Sequence, residues 1–513
     1  MTTPVVVVGS GAAGLAAALA AAHRGASVTL LERAPHLGGT TAISGGVAWI
    51  PASDTARAAG VDDSPEAALE YLRAIGLGDA DAARTAVFAH DAARVARDVE
   101  ARTPLTWSLL PDWPDYRCEL PGGRTGGRSI WPAPLAVPPD LAARIQPTPE
   151  VPTLPVPEGA PVTDAVVLRG PVRGRVLVAG LLLALCDLGV DIRTDARVTG
   201  LAVDDTGAVR GVHVGTETIP GAVVLASGGF QHDPALARTF LPAPGIAALG
   251  TPGCTGDGLR MALAAGADLA NMTEGWWMPA IRVPGEELDG APFFRPLHHE
   301  RAQPGSLMVD RTGRRFVDEA QSYCDAGRAM LRFDPTTYGW PAAPAWLVFD
   351  RAYREHTAIG PLAPGDDDPD WMVRAHSIGA LADALGIDRA TLEATVTRFN
   401  AHATAGHDAD FGRGEHPYDR WIGDARAPHP TLAPLCAPPY YALAVLPGCM
   451  GTKGGPRTDV DGRVLRPDGT AVPGLFAAGN AAANPFGIGT PGGGGTIGPA
   501  LVFGTRAGEA AAG

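Results

Sequence analysis

The chain has 513 residues, 46% of them apolar and only 19% charged, with a net charge of −14. Against the roughly 25% charged residues of an average globular protein, this gives ample core and excludes a disordered chain or a basic nucleic-acid binder. The length is about three to four domains' worth at about 150 residues each, and 66 glycines with 48 prolines, spread without a period, exclude collagen and call for many tight turns.

Residues 4–22 form an uncharged apolar stretch long enough for a membrane span or a signal core. No basic residue precedes it and a glycine-rich segment cuts it, so a buried strand, a tight turn and a helix account for it better. No transmembrane segment is expected, and the protein is read as cytoplasmic. Val5-Val6-Val7-Val8 is a β-branched run suited to a parallel strand buried on both faces. Gly9-Ser10-Gly11-Ala12-Ala13-Gly14 is a G-x-G-x-x-G that opens an alanine-rich helix, which Gly25 stops. A second strand, Ser27-Val28-Thr29-Leu30-Leu31, ends in Glu32. Such glycines let backbone approach a pyrophosphate at a helix N-terminus, and an acid in this place binds ribose hydroxyls. A ligand-free glycine turn is the bland alternative; the strand before it, the helix after it and the acid at 32 argue against that.

Next come Arg33, then Gly38-Gly39-Thr40-Thr41 and Ser44-Gly45-Gly46. A G-G-x-(S/T)-x-x-S-G-G stretch directly after the acidic strand end resembles the flavoprotein superfamily of fumarate reductases and 3-ketosteroid dehydrogenases. The resemblance implies FAD, with these small residues and hydroxyls lining diphosphate and flavin. No second strand–GxGxxG–helix unit occurs, so the electrons are expected to pass to an external acceptor (a quinone, a dye-like acceptor or O2) rather than to a nicotinamide.

Residues 64–100 are helix-like, and residues 104–161, rich in proline, glycine and tryptophan, are expected to be loops. A helix over 175–189 and strand pieces around an Asp205-Thr206-Gly207 turn follow, then a buried strand running into Ser227-Gly228-Gly229. In the resembling superfamily that strand returns to the dinucleotide sheet, and Val198 touches adenine. From 274 to 439 the texture changes, with Trp276-Trp277 and His298-His299. The expected organisation is therefore 1–273, FAD-binding; 274–439, an inserted substrate domain; and 440–513, FAD-binding again. The expected fold class is α/β, a Rossmann-like FAD-binding domain carrying an α+β insertion. Near the end, Gly479-Asn480 repeats a superfamily fingerprint at a strand end. The run 487–499, with Gly492-Gly493-Gly494-Gly495-Thr496-Ile497, opens a helix whose positive end would sit by the flavin. Its alternative, a flexible linker, fits poorly with the ordered-looking residues 496–500.

Here the resemblance narrows to 3-ketosteroid Δ1-dehydrogenases and their ketone-dehydrogenating relatives, carried also by Gly122-Gly123-Arg124, Gly127-Arg128-Ser129, Arg315-Phe316-Val317-Asp318-Glu319 and Phe411-Gly412-Arg413-Gly414. These enzymes remove two hydrogens beside a ketone. The resemblance puts the base on Tyr323, a helper on Tyr116 and a carbonyl-binding amide on Gly494. An unperturbed tyrosine has a pKa of about 10, so the base role calls for a lowered value. The family's carbonyl-binding tyrosine falls on Thr490, a departure that leaves the expected substrate, a small apolar cyclic ketone, open between a 3-ketosteroid and a smaller or differently shaped ring ketone. The competing readings are a fumarate-reductase-type ene reductase, for which His429-Pro430-Thr431 lies far from its expected place, and a non-catalytic flavin protein. Six scattered cysteines without a Cys-x-x-Cys exclude a disulfide framework and a zinc knuckle. His298-His299-Glu300 makes a poor metal site, because neighbouring strand residues face opposite ways. No metal is expected.

Overall fold

The computed structural model describes residues 3–149 and 172–513. Its first sheet is built around Val5–Val8, four buried valines that pair in parallel with Val28–Leu31 on one side and Ala222–Leu225 on the other. Asp191–Arg193 and Ala471–Ala477 extend it, and Arg463–Leu465 closes one edge antiparallel. Branched side chains on both faces need cover on both faces. One cover is the helix pair Ala12–His23 and Ile497–Ala512; the other is the three-stranded sheet Val198–Val203, Val209–Val214 and Glu217–Pro220. The alanines and glycines of the two helices have a purpose here. A Cβ on Gly504 or Gly508 would lie 2.3 or 2.1 Å from the carbonyl oxygen of Ala13 or Ala17, so only small residues let these backbones touch.

A second sheet has seven strands, and its spine is the long strand Tyr440–Thr452. That strand pairs antiparallel with Gly275–Leu288, Ala345–Asp350 and Val373–Ala375, and in parallel with Ala247–Ala248. The expected return to the first domain at residue 440 thus falls ahead of a strand that belongs to the second sheet. The chain rejoins the first sheet at Arg463–Leu465. Buried apolar residues of the strand, Ala442, Leu443 and Val445, face Val348, Leu347 and Ala345 across the ladder, and this packing fixes the pairing.

Two further expectations change. The helical stretch 64–100 is two helices, Pro65–Gly76 and Ala82–Arg102, broken where Leu77 and Gly78 take left-handed backbone and Asp81 caps the second. Within 104–149 the expected loops include strands Trp107–Leu110 and Ser129–Pro132, which pair with each other, Ser129–Pro132 also with Ala48–Trp49. Four-residue strands among prolines are too short to show a period. Residues 150–161 of that stretch lie outside the described residues. Inside this small sheet sits Arg128, 1% exposed, with its guanidinium 2.7 Å from Asp63 and 2.8 Å from Asp115. Asp115 also accepts the Trp49 indole N–H at 2.7 Å. Removing one member of a buried ionic cluster leaves uncompensated charge. Arg128→Met is expected to cost about 3–5 kcal/mol in denaturant unfolding, and an unchanged midpoint would show that the cluster carries no stability.

Candidate active site

The turn after Val5–Val8 separates two kinds of glycine. Gly9 has φ 107°, and a Cβ there would lie 2.5 Å from the Ala226 carbonyl oxygen; at Gly14 it would lie 1.9 Å from that of Gly9. Both are glycine because the protein itself fills the space. Gly11 is different: its φ is −70°, and the nearest atom to an added methyl would be Thr41 Oγ1 at 3.6 Å. Nothing in the chain demands glycine at 11. It borders a cleft of about 1000 Å³, counted with its open mouth, where the Ala12–His23 helix begins at a glycine that offers no cap, only its Ala12 N–H being held, by Thr41 Oγ1 at 3.0 Å. A helix start of this kind beside such a space is an anion cradle.

Glu32 lines the cleft, and its carboxylate accepts the Ser10 hydroxyl at 2.6 Å, the Ser10 N–H at 3.1 Å and the Ala34 N–H at 3.0 Å. These bonds orient it while leaving lone pairs for a sugar hydroxyl. Gly9, Ala12, Ala13, Arg33, Gly39, Thr40 and Thr41 line the same space, as do Val198, Ser227 and Gly228. The Ser227 hydroxyl is buried there without a partner. Gly479, Asn480, Thr496 and Ile497 complete the far wall. Gly14 and Gly495 are not part of the lining: Gly14 packs under Gly9, and a Cβ on Gly495 would meet the Pro491 ring at 2.8 Å. A long cleft with an anion cradle midway, a fixed carboxylate and an orphaned hydroxyl fits FAD.

Thr40, Met450, Thr496 and Ile497 also border a second cavity, of about 1770 Å³ with its mouth, so cleft and cavity adjoin. Ser44, Gly45, Gly46 and Gly494 line it where they meet, and Tyr323 faces them from the second sheet's side. The glycine run is held, not loose. The Pro491 carbonyl accepts the Tyr71 hydroxyl at 2.7 Å and the Tyr116 N–H at 3.1 Å, and Gly493 accepts Ser129 Oγ at 2.9 Å. The Gly494 carbonyl accepts Trp49 N–H at 3.1 Å. Gly494 donates its own N–H to no described residue.

Tyr323 opens the short helix Tyr323–Ala329, capped by Ser322. The segment before it is anchored by Glu319, fully buried between Arg315 at 2.7 Å and Arg413 at 3.1 Å, with Asp408 beyond Arg315. That cluster is what the Arg315–Glu319 and Phe411–Gly414 motifs build. Tyr116 meets Tyr323 edge-on with ring centres 5.2 Å apart and is backed in turn by Tyr418 at 5.0 Å. Tyr116 does not line the cavity; it supports Tyr323 from behind. The expected lowering of the Tyr323 pKa is reversed. Burial pushes the phenol well above its ordinary value and Cys324 adds to this, while the Tyr116 hydroxyl and the Arg301 charge act in the opposite sense.

Thr490 is also not where the resemblance puts it. Its hydroxyl accepts from Lys453 Nζ at 3.2 Å and takes no part in the cavity lining. Lys453 is buried and donates as well to the carbonyls of Gly487, Ile488 and Gly489 at 3.3, 2.9 and 2.7 Å, over the Trp276 ring. A buried ammonium needs every acceptor it can reach, and desolvation still lowers its pKa to about 8. Sequence reasoning passes over Lys453 and Tyr418, for which no local pattern speaks, and treats His298 only as an unlikely ligand. His298, His299 and Glu300 all line the cavity.

The profile of the FAD binding domain family matches residues 4–497. The chain belongs to this family, and its cofactor is FAD. It is 40% identical to 4-oxocyclohexanecarboxylate 2-dehydrogenase of Sinomonas cyclohexanicum, over 100% of this chain and 93% of that one. It is 38% identical to 3-oxosteroid 1-dehydrogenase of Mycobacterium tuberculosis, over 98% and 96%. The crystal structure of 3-ketosteroid Δ1-dehydrogenase from Sterolibacterium denitrificans, in complex with 1,4-androstadiene-3,17-dione, superposes with a TM-score of 0.91 at 32% identity and covers 99% of both chains. The chain is thus an FAD-dependent oxidoreductase of the class that acts on CH–CH groups. Among the described residues, no helix is long and apolar enough to cross a membrane.

Because the protein leaves room for a methyl at Gly11, Gly11→Ala is expected to keep the fold and melting temperature of the apoprotein. The same methyl intrudes on the phosphate cradle, so FAD affinity should fall by about tenfold or more, a step of about 1.4 kcal/mol. Flavin titration of the apoprotein measures it.

Proposed function

We propose that this enzyme dehydrogenates a cyclic ketone beside its carbonyl, forming a C=C bond between the α and β carbons. The observation that carries the reading is one cavity in which the Tyr323 phenol, the unpartnered Gly494 amide and the inner end of the cofactor cleft meet. The Tyr323 oxygen removes the α-proton. The Gly494 N–H holds the ketone oxygen, where negative charge grows as that proton leaves. FAD held in the cleft would supply the acceptor for the β-hydrogen and its electron pair. The substrate would then lose a proton to Tyr323 and a hydride to that acceptor, with an external acceptor (a quinone, a dye-like compound or O2) taking the electrons onward.

The substrate is an apolar cyclic ketone. The cavity wall carries Met278, Phe293, Phe294 and Leu249, which suit a ring skeleton. The named relatives act on a cyclohexanone acid and on steroid ketones, and a ketone within a six-membered ring is what the two have in common. In this reading the first sheet carries the cofactor and the second brings the substrate wall and the base. The compartment proposed is the cytoplasm, where the six unpaired cysteines stay reduced. The reverse, ene-reducing reading draws on His429, but that ring accepts the Thr431 and Leu432 N–H groups and lies outside the cavity lining.

Tyr323→Phe is expected to retain FAD and lose about 10²- to 10⁴-fold in turnover, the usual cost of removing a general base; turnover close to wild type would place the base elsewhere. The pH dependence follows from the raised Tyr323 pKa. The phenol is protonated at neutral pH and the active tyrosinate grows as pH rises, so log kcat/KM should climb through the neutral and alkaline range. Tyr116→Phe removes an influence that lowers this pKa, so its profile should be displaced to higher pH.

A further inference from the structure

We infer that His298 donates the second hydrogen bond to the substrate's ketone oxygen, opposite the Gly494 amide. The inference rests on the ketone-dehydrogenation reading and adds a residue to it. An enolate oxygen is best held by two donors, and the position the resemblance assigns to the second one is occupied by Thr490, which accepts from Lys453 and is not among the residues lining the cavity. The second donor must come from elsewhere on the wall.

His298 stands where such a donor is needed. Its ring lies 5.3 Å from the Tyr323 ring and 6.1 Å from the Trp113 ring, centre to centre. Trp113 in turn lies against Gly493, where a Cβ would be 2.5 Å from the indole. The imidazole therefore bridges the base and the glycine run. It lines the cavity, stays partly open to it, and neither ring nitrogen has a hydrogen-bond partner among the described residues. The other charged and ring donors of this wall are engaged or covered. Arg295 is held bidentately by Glu286, His299 lies 3.4 Å from the Glu300 carboxylate, and Trp113 Nε1 is packed out of reach of solvent.

The ring is also in the right protonation state. Burial, with Arg301 and His299 beside it, lowers its pKa to about 3. At working pH it is a neutral imidazole with one N–H, able to polarise a carbonyl without placing a net charge next to the base.

The test uses the FAD-loaded enzyme with His298→Phe, His298→Gln and Thr490→Val. Two readouts are compared: anaerobic flavin reduction by 4-oxocyclohexanecarboxylate, and binding of 4-ethylphenol, whose phenolate imitates the enolate, followed by the flavin difference spectrum. For His298→Phe the expectation is full FAD content, kcat lower by about 10²- to 10³-fold with a smaller change in KM, and phenol binding weaker by about tenfold. Glutamine restores an N–H donor and should recover part of both. Equal losses in the Phe and Gln variants would make His298 only a wall, and a loss confined to Thr490→Val would return the role to Thr490; either result overturns the inference. Failure of the wild type to be reduced by any cyclic ketone would sink the parent reading instead, and the phenol titration would still decide whether His298 holds an oxyanion.

Discussion

The glycine run at 492–495 has to satisfy two opposed demands: backbone close enough to touch flat ligands, and backbone that does not move. Glycine alone supplies the first and undermines the second. The chain resolves this with the buried guanidinium of Arg128, which holds Asp115 and Asp63; Asp115 holds the Trp49 indole, and the Trp49 main chain holds the Gly494 carbonyl. A Cβ at Gly494 would fall 2.6 Å from the Ala48–Trp49 backbone, so glycine is required there by the packing that immobilises it. The free amide of Gly494 is thus held through an ion pair whose residues line neither the cleft nor the cavity.

The opposing wall is secured in the same way. Glu319, between Arg315 and Arg413, fixes the chain four residues before Tyr323. Buried ionic clusters of this kind are hard to explain by stability alone, since apolar replacements are often as good. Their value here is register. Each one sets the position of a polar atom across an apolar gap that neither sheet spans by itself. The strand Tyr440–Thr452 links the two systems: it runs through the second sheet, puts Met450 where cleft and cavity join, and delivers Lys453 beneath the 487–490 loop.

What is legible in the sequence follows the range of the interactions. The Val5–Glu32 unit is closed within about thirty residues, so motif, strand, helix and acid can be read together, and even the distinct freedom of Gly11 is local. Strand 440–452 carries no sign of which sheet it will join, because that choice is made by partners such as Ala345–Asp350 almost a hundred residues away. Tyr323 is reached through a motif whose own residues turn out to be its anchors. Thr490 is placed by its spacing from Gly494, and spacing cannot reveal that Lys453 claims its hydroxyl. His298 draws notice in the sequence only as half of a histidine pair, weighed and set aside as a metal site. Its packing against Tyr323 is a tertiary fact with no sequence signature.

The raised pKa of Tyr323 looks at first like an obstacle to a base, yet it belongs to the same logic. The apolar surroundings that disfavour a phenolate also make it a stronger proton acceptor once formed, and the scarcity of the active form is offset in part by its basicity. In the proposed reaction, proton transfer would move the negative charge rather than create it: one buried oxygen, on Tyr323, is neutralised as another, on the substrate, becomes anionic. Desolvation weighs on both sides of that step, so what the protein can set against the intrinsic weakness of the carbon acid is the difference in hydrogen bonding at the two oxygens. On the tyrosine side stands the Tyr116 hydroxyl, buried and without a completed hydrogen bond in the resting protein. On the substrate side stands an amide held rigid from behind. A fixed donor needs no reorganisation when charge arrives, and in the proposed reaction this asymmetry between an adjustable donor at the base and an immobile one at the ketone would shift the transfer toward the enolate.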